Sequence, residues 1–356
     1  MFRAFYTCIS LLLIFGTSLA QTSAPKFSNE FLSIGVGARG LAMSGNQVAT
    51  VSDVTAGYWN PAGLLNIEDK YEFSLMHAEY FAGISSLDYA AFATPVDSSS
   101  HIALSLIRFA TDDIPDTRFL YDANGAINYD NIRFFSAADY AFLVSYARRL
   151  PILNGLRLGA NFKVVHRIAG NFANAWGFGL DVGAQMDYKG WNLGLVIHDV
   201  TGTFNAWSHN ADLVFDVFTQ TGNEIPSNSI EITLPKATFG VARYFPLHAK
   251  FGMELAVDFV SSFDGRRNVL VKSEVISLDP SAALEMDYKQ TVFLRFGAGD
   301  VQEVKDFDNS TYRTFQPNFG LGFAIKKVTI DYALTDIGDQ SESLYSHVFS
   351  VKAGLN

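Results

Sequence analysis

The chain has 356 residues, with 36 Asp and Glu against 26 Lys and Arg, a formal net charge of −10. That balance excludes nucleic acid as a partner, because polyanion binding needs a basic surface. Hydrophobic residues make up 49% and aromatic residues 14%, while only 17% are charged, against about 25% in an ordinary soluble domain, so apolar surface is expected outside the core.

The first twenty residues read as a secretory signal peptide: Arg3, an apolar run from Phe5 to Phe15, then Gly16-Thr17-Ser18-Leu19-Ala20, with cleavage expected after Ala20. Cys8 is the only cysteine and falls inside this segment, so the exported chain is expected to lack disulfides, thiolate metal sites and a thiol nucleophile. No later apolar stretch reaches the ~18 residues a spanning helix needs. Export, abundant aromatics and no spanning helix point to an all-β transmembrane barrel.

Residues 21–67 show no strand periodicity. Gly35-Val-Gly37-Ala38-Arg39-Gly40 lacks the Lys-Ser/Thr and the strand-helix setting of a phosphate loop and reads as a close-packed glycine segment. Further on, Tyr58-Trp59 precedes Asn60-Pro61-Ala62-Gly63-Leu64. Asn60, kept extended by the following proline, is expected to cap a short helix beginning at Pro61, with the two aromatic rings as an anchor. Residues 26–67 are expected to form a plug in the barrel mouth, the other possibility being a periplasmic tail.

From residue 71 onward the chain alternates with a period of two, one parity apolar for lipid and the other polar for a lumen. At 250–260, Phe251, Met253, Leu255, Val257 and Phe259 oppose Lys250, Gly252, Glu254, Ala256 and Asp258. The pattern recurs at 156–164, 174–188 and 191–198, and less clearly at 71–80, 86–95, 101–109, 138–149, 236–245, 280–288, 291–299, 315–325, 327–335 and 346–355. Fourteen antiparallel strands follow, an even number closed by the last. The long segments 110–137 and 204–235 are expected to be outer loops. The second carries Phe204, Trp207, Phe215 and Phe218, a candidate partner-binding surface or a cover for the barrel mouth.

No HExxH or GxSxG motif is present, and Asp122, Asn124, Gly125 and Asp130 depart from the calcium-loop spacing. The inward carboxylates Asp181, Asp187, Glu254, Asp258, Glu285 and Asp287 face Arg157, Lys163, Arg167 and Arg295, a pattern expected to form an ion-paired lumen rather than an acid pair for catalysis. Neither an enzyme activity nor a cofactor or metal is expected.

The stretch from Gly37-Ala38-Arg39 through Val48-Ala49 and Asp53 to Trp59-Asn60-Pro61-Ala62-Gly63-Leu64 resembles the N-terminal signature of the PorV/PorQ family of outer-membrane proteins, a branch of the FadL-like transporter superfamily. The resemblance implies a FadL-like barrel in the outer membrane, with lipid around it. It further implies a non-enzymatic role in type IX protein secretion, docking or shuttling exported proteins beside translocon or attachment-complex subunits. The alternative within the superfamily is transport of a hydrophobic small molecule, gated by the plug. Strong inward polarity favours the first. A cargo protein of the same pathway is disfavoured by the strand-like C-terminus.

Overall fold

The computed structural model describes residues 28–122, 124–151, 155–306, 309–335 and 345–356. The expected signal peptide and its cleavage point lie outside them. No described helix is long and apolar enough to cross a membrane.

Sixteen strands are present among the described residues: β1 (Tyr71–Tyr80), β2 (Ser85–Asp97), β3 (Ser100–Asp116), β4 (Arg133–Arg149), β5 (Arg157–Ala169), β6 (Ala173–Tyr188), β7 (Trp191–His198), β8 (Thr203–His209), β9 (Ser229–Thr233), β10 (Lys236–His248), β11 (Phe251–Ser262), β12 (Ser277–Tyr288), β13 (Val292–Lys305), β14 (Thr311–Ile325), β15 (Val328–Thr335) and β16 (Ser346–Leu355). All ladders are antiparallel. β1 pairs with both β2 and β16, and β5 pairs with β6, so the sheet closes on itself. The ring contains every strand except β8 and β9, which makes a closed fourteen-strand barrel. Closure removes the free edges that hydrocarbon cannot solvate.

The fourteen ring strands match the fourteen periodic segments in number and place, but β3 runs to Asp116 and β4 begins at Arg133, so the segment 110–137, expected to be a loop, is strand at both ends. The segment 204–235, expected to be a loop, departs from that reading. It contains β8, a helix α3 (Phe215–Thr221) and β9; the labels α1 and α2 belong to two inner helices described below. β7 pairs with the lower half of β6, from Tyr188↔Trp191 to Val182↔Ile197, and β8 pairs with the upper half, from Phe178↔Phe204 to Ala173↔His209. β7 and β8 are thus one wall strand interrupted at residues 199–202, where Asp199 and Gly202 take positive φ values of 54° and 70°. Side chains replace the missing ladder bonds. Asp181 accepts from the Asp199 backbone N–H at 2.9 Å, and Lys163 bridges Asp181 and Asp199 at 2.8 and 2.6 Å. Above this break β9 pairs with β8, and its other edge has no ladder partner among the described residues.

The outward parity carries the apolar residues, among them Leu75, Phe142, Phe178, Leu255, Phe319 and Val351, all exposed. Tyr71, Tyr188, Trp191, Tyr244 and Tyr288 lie towards the end where the chain turns tightly, as an interfacial girdle requires. The connections at that end are short: residues 98–99, 189–190, 249–250, 289–291 and 326–327. Lys189 and Gly190 both have positive φ, the conformation of a two-residue hairpin turn. The opposite end bears 117–132, 210–228 and 263–276, so by barrel convention it faces outward.

The inner face is not uniformly polar. On β1 to β5 it presents Met76, Leu87, Tyr89, Ile107, Leu143 and Val165, which form one buried apolar cluster with Phe31, Val36, Leu41, Val51, Val54, Leu64 and Leu65 of the N-terminal segment. Charged residues occupy the remaining inner wall. Residues 28–67 therefore pack inside the barrel, with apolar contacts on one side and polar contacts on the other.

Candidate functional site

The inner segment is short helices and turns without strands. A 3-10 turn at Glu30–Ser33 leads through Gly35 and Gly37 into α1 (Ala38–Ala42); α2 (Ala56–Trp59) is followed by a second 3-10 turn, Pro61–Asn66. Asn60 joins the last two. Its φ and ψ of −162° and 104° are extended, and its side-chain oxygen accepts from the Ala62 N–H at 3.2 Å. The expected cap is present, on a 3-10 turn instead of an α-helix. Its amide also donates to Val48 O at 2.8 Å and to Ala184 O on β6 at 3.1 Å, so one fully buried Asn ties two parts of the segment to the wall.

Tyr58 and Trp59 pack edge to face, with ring centroids 4.8 Å apart. The Trp59 indole N–H donates to Val36 O at 3.0 Å, and its ring lies against Gly40, where a β-carbon would come within 2.7 Å of it. This contact explains why the glycine-rich stretch and the Tyr-Trp pair occur together. The Tyr58 hydroxyl donates to Leu32 O, and burial pushes its phenol above the ordinary value, so it stays a neutral donor.

Wall glycines receive this backbone. A β-carbon on Gly159 of β5 would overlap the Pro61 carbonyl carbon and the Ala62 nitrogen, and one on Gly183 of β6 would overlap the Asn60 side chain. Pro61, Ala62 and Gly63 are buried at this seat, and Gly63 itself lies against Val51 O. α1 is seated on the far side, its Ala38 N–H donating to Ser350 Oγ at 3.1 Å and its Gly37 N-cap donating to Met76 Sδ at 2.9 Å.

Ions fix the polar side. Arg39 reaches Glu254 at 3.0 Å and Glu285 at 2.9 Å, and donates to Gln47 Oε1 at 2.7 Å. Glu285 is shared with Arg295, which also holds Asp331 at 2.7 Å. Burial disfavours the Arg39 charge, but the two glutamates outweigh it and raise its pKa. Asp53 pairs with Lys352 of the closing strand at 2.8 Å and accepts from the Thr55 N–H. Burial opposes its ionisation, yet Lys352 holds the carboxyl well below the usual range. Asp258 accepts from the Gln47 and Val48 N–H groups, both at 3.1 Å. Arg157 pairs with Asp187 at 2.7 Å and Arg167 with Asp139 at 2.9 Å. The inward charges are thus a network, and several members hold the inner segment.

Above the segment lies a cavity of about 1030 Å³. Its floor includes Phe31, Leu41, Val48, Tyr58 and Trp59, and its walls include Phe109 and Leu143 together with Lys163, Arg167, Asp258 and Asp279. Gln302 and Gln316 place it at the outward end of the barrel. The sequence offers no signal for this cavity, because its floor comes from the inner segment and its walls from many separate strands.

Of the four residues expected on an outer partner-binding loop, Phe204 and Trp207 are wall residues of β8. Phe204 faces outward against Phe178, and Trp207 donates to Glu231 at 2.9 Å beneath the Arg167 guanidinium. The break at 199–202 interrupts the strand period, which hides β8 in the sequence. Phe215 is exposed on α3, where Phe218 is half-buried. Neither lines the cavity; the segment touches the 117–132 loop instead, through a hydrogen bond from Arg118 to Leu213 O.

The closed barrel of fourteen ring strands finds counterparts among solved structures. This is the FadL-like barrel fold. The toluene transporter TodX of Pseudomonas putida aligns with a TM-score of 0.56 and 12% identity, covering 90% of this chain and 99% of its own. The toluene transporter TbuX of Ralstonia pickettii gives 0.53 and 14%, covering 90% and 99%, and the CymD monoaromatic hydrocarbon channel gives 0.55 and 11%, covering 91% and 98%. These neighbours are channels and transporters, not enzymes. No family model and no curated protein matches the sequence. The likeness lies in the fold of an outer-membrane barrel.

Proposed function

We propose that the protein is an outer-membrane channel for hydrophobic small molecules, with residues 28–67 as a plug that gates it. The observation that carries this is the outward cavity of about 1030 Å³ with Phe31, Leu41, Tyr58 and Trp59 in its floor. Desolvating a small apolar molecule in a site of this size supplies about 25 cal/mol per Å² of buried apolar surface. The plug then separates the loaded cavity from the far end of the barrel and must shift for the molecule to pass. The structural neighbours that carry toluene and monoaromatic hydrocarbons make aromatic hydrocarbons the first class to test. Among the inward charges, Glu254, Glu285 and Asp258 hold the plug, while Arg157, Lys163 and Arg167 are paired within the wall, so neither group bars a ligand path.

Proteoliposomes containing the protein are expected to take up labelled toluene several-fold faster than protein-free vesicles. Trp59→Ala, which removes part of the floor, is expected to alter the rate. Equal uptake with and without the protein would refute the channel.

A second reading has its own observation. The signature residues Gly37, Ala38, Arg39, Trp59, Asn60, Pro61, Ala62 and Gly63, which resemble the PorV/PorQ family, all take part in seating the plug. In that reading the barrel stays sealed and works as a docking platform in type IX secretion, with Phe215 among its outward contacts. Co-elution of translocon or attachment-complex subunits in mild detergent, together with unchanged toluene uptake, would favour it over the channel.

A further inference from the structure

The outward cavity has a charge asymmetry that bears on which molecules it takes, an inference that rests on the channel reading above. Its cations are already engaged. Lys163 is held by Asp181 and Asp199, and Arg167 by Asp139. Lys236 donates to Ser33 at 3.0 Å with Glu30 4.0 Å away, and Arg267 pairs with Asp264 at 2.5 Å. A ligand carboxylate would have to break one of these pairs to gain a partner.

The wall formed by β11, β12 and β14 differs. Asp258, Asp279 and Asn318 each keep a buried side-chain oxygen with no hydrogen-bond partner among the described residues. Asp258 is 2% exposed and Asn318 6%, and all three line the cavity. The register brings them together. Asp258 stands opposite Ser281, two residues from Asp279 on the same face of β12. Ser281 Cβ lies 3.1 Å from where a Gly299 β-carbon would be, and Gly299 stands opposite Gln316, two residues from Asn318. The Asn318 amide is already spent on Ser44 Oγ at 2.7 Å, which leaves its oxygen facing the lumen as an acceptor. Asp300 adds a further carboxylate to the lining.

Buried acceptors without donors are costly, and charged ones more so. A ligand that brings N–H donors and a positive charge relieves that cost, while an anion adds to it. The apolar floor accommodates a hydrocarbon tail, and aromatic faces such as Trp59 tolerate a nearby cation. We propose that the cavity selects amphiphilic cations, a primary ammonium head at the Asp258–Asp279–Asn318 wall with its hydrocarbon chain over the Phe31–Leu41–Trp59 floor.

The test is calorimetric titration of the full barrel in phosphatidylcholine nanodiscs at neutral pH with n-hexylammonium, 1-hexanol and hexanoate, which share one chain length. The expected order is ammonium tighter than alcohol tighter than acid, with about ten-fold or more between the extremes. Asp279→Asn keeps the shape, removes one charge and is expected to abolish most of the advantage of ammonium over hexanol. Hexanoate binding as tightly as hexylammonium, or an undiminished ammonium advantage in Asp279→Asn, would overturn the cation preference while hexanol binding kept the channel reading intact. Absence of binding by all three would overturn both.

Discussion

Gly159→Leu is expected to turn a silent barrel into a leaky one. In the wall the substitution is harmless, since β5 is an ordinary strand and leucine fits a pleated sheet. Inside, however, the new side chain would enter the backbone of Pro61 and Ala62, which cannot yield as a flexible side chain does. The turn Pro61–Asn66 packs on β4, β5 and β6, so lifting it unseats the plug without unfolding the barrel. Overpacking of this kind costs about 1–3 kcal/mol, enough to raise the unseated population by roughly five- to a hundred-fold. Planar-bilayer recording is expected to show few openings for the parent and frequent ones for Gly159→Leu. A variant as silent as the parent would show that the turn is not the seal.

Arg39→Met carries the second large effect, because Arg39 answers two carboxylates from different strands, Glu254 on β11 and Glu285 on β12. Glu285 keeps Arg295, whereas Glu254 loses its only ion pair among the described residues. Removing one partner of a buried pair costs about 3–5 kcal/mol. Arg39 retains some exposure, so about 2–3 kcal/mol is the expected loss on that same basis, seen as faster hydrogen exchange across residues 36–48. Arg39→Lys is expected to recover only part of it, because one ammonium cannot reproduce the guanidinium fork that meets Glu254, Glu285 and Gln47. Arg39→Met combined with Glu254→Gln should lose less than Arg39→Met alone. Acid acts on the other anchor. The Asp53 carboxyl sits well below its ordinary value, so its pairing with Lys352 contributes fully above the unfolded pKa of about 4 and fades only as pH falls towards the folded value. Plug seating through this pair is therefore expected to be constant from neutral to mildly acidic pH.

The barrel was legible in the sequence because lipid on one side and polar contacts on the other impose a period of two, clearest where the inner face is charged, as on β11. On β1 to β4 the period was weaker for a physical reason now visible. Met76, Leu87, Tyr89 and Ile107 face inward onto the apolar side of the inner segment, so both faces of those strands carry apolar residues. The break at 199–202 hid β8 and β9, since two turn residues at positive φ interrupt the strand period and the compensating bonds come from Lys163 and Asp181 on other strands. The Asn60 cap could be read locally, because an Asn before a Pro needs only its own neighbours. The seats at Gly159 and Gly183 could not, because a strand glycine has no local signature that says what lies against it. The cavity was invisible for the same reason.

The central claim is that the N-terminal segment is the movable seal between the outward cavity and the far end of the barrel. A disulfide tests it most directly. A β-carbon on Gly57 of α2 would lie 3.0 Å from Ser145 Oγ on β4, a spacing suited to a disulfide. Gly57→Cys with Ser145→Cys should tether the segment to the wall when oxidised. Toluene uptake into proteoliposomes is the measurement. The account predicts uptake near the protein-free level in the oxidised form and recovery on reduction; equal uptake in both forms, with the disulfide verified, would contradict it.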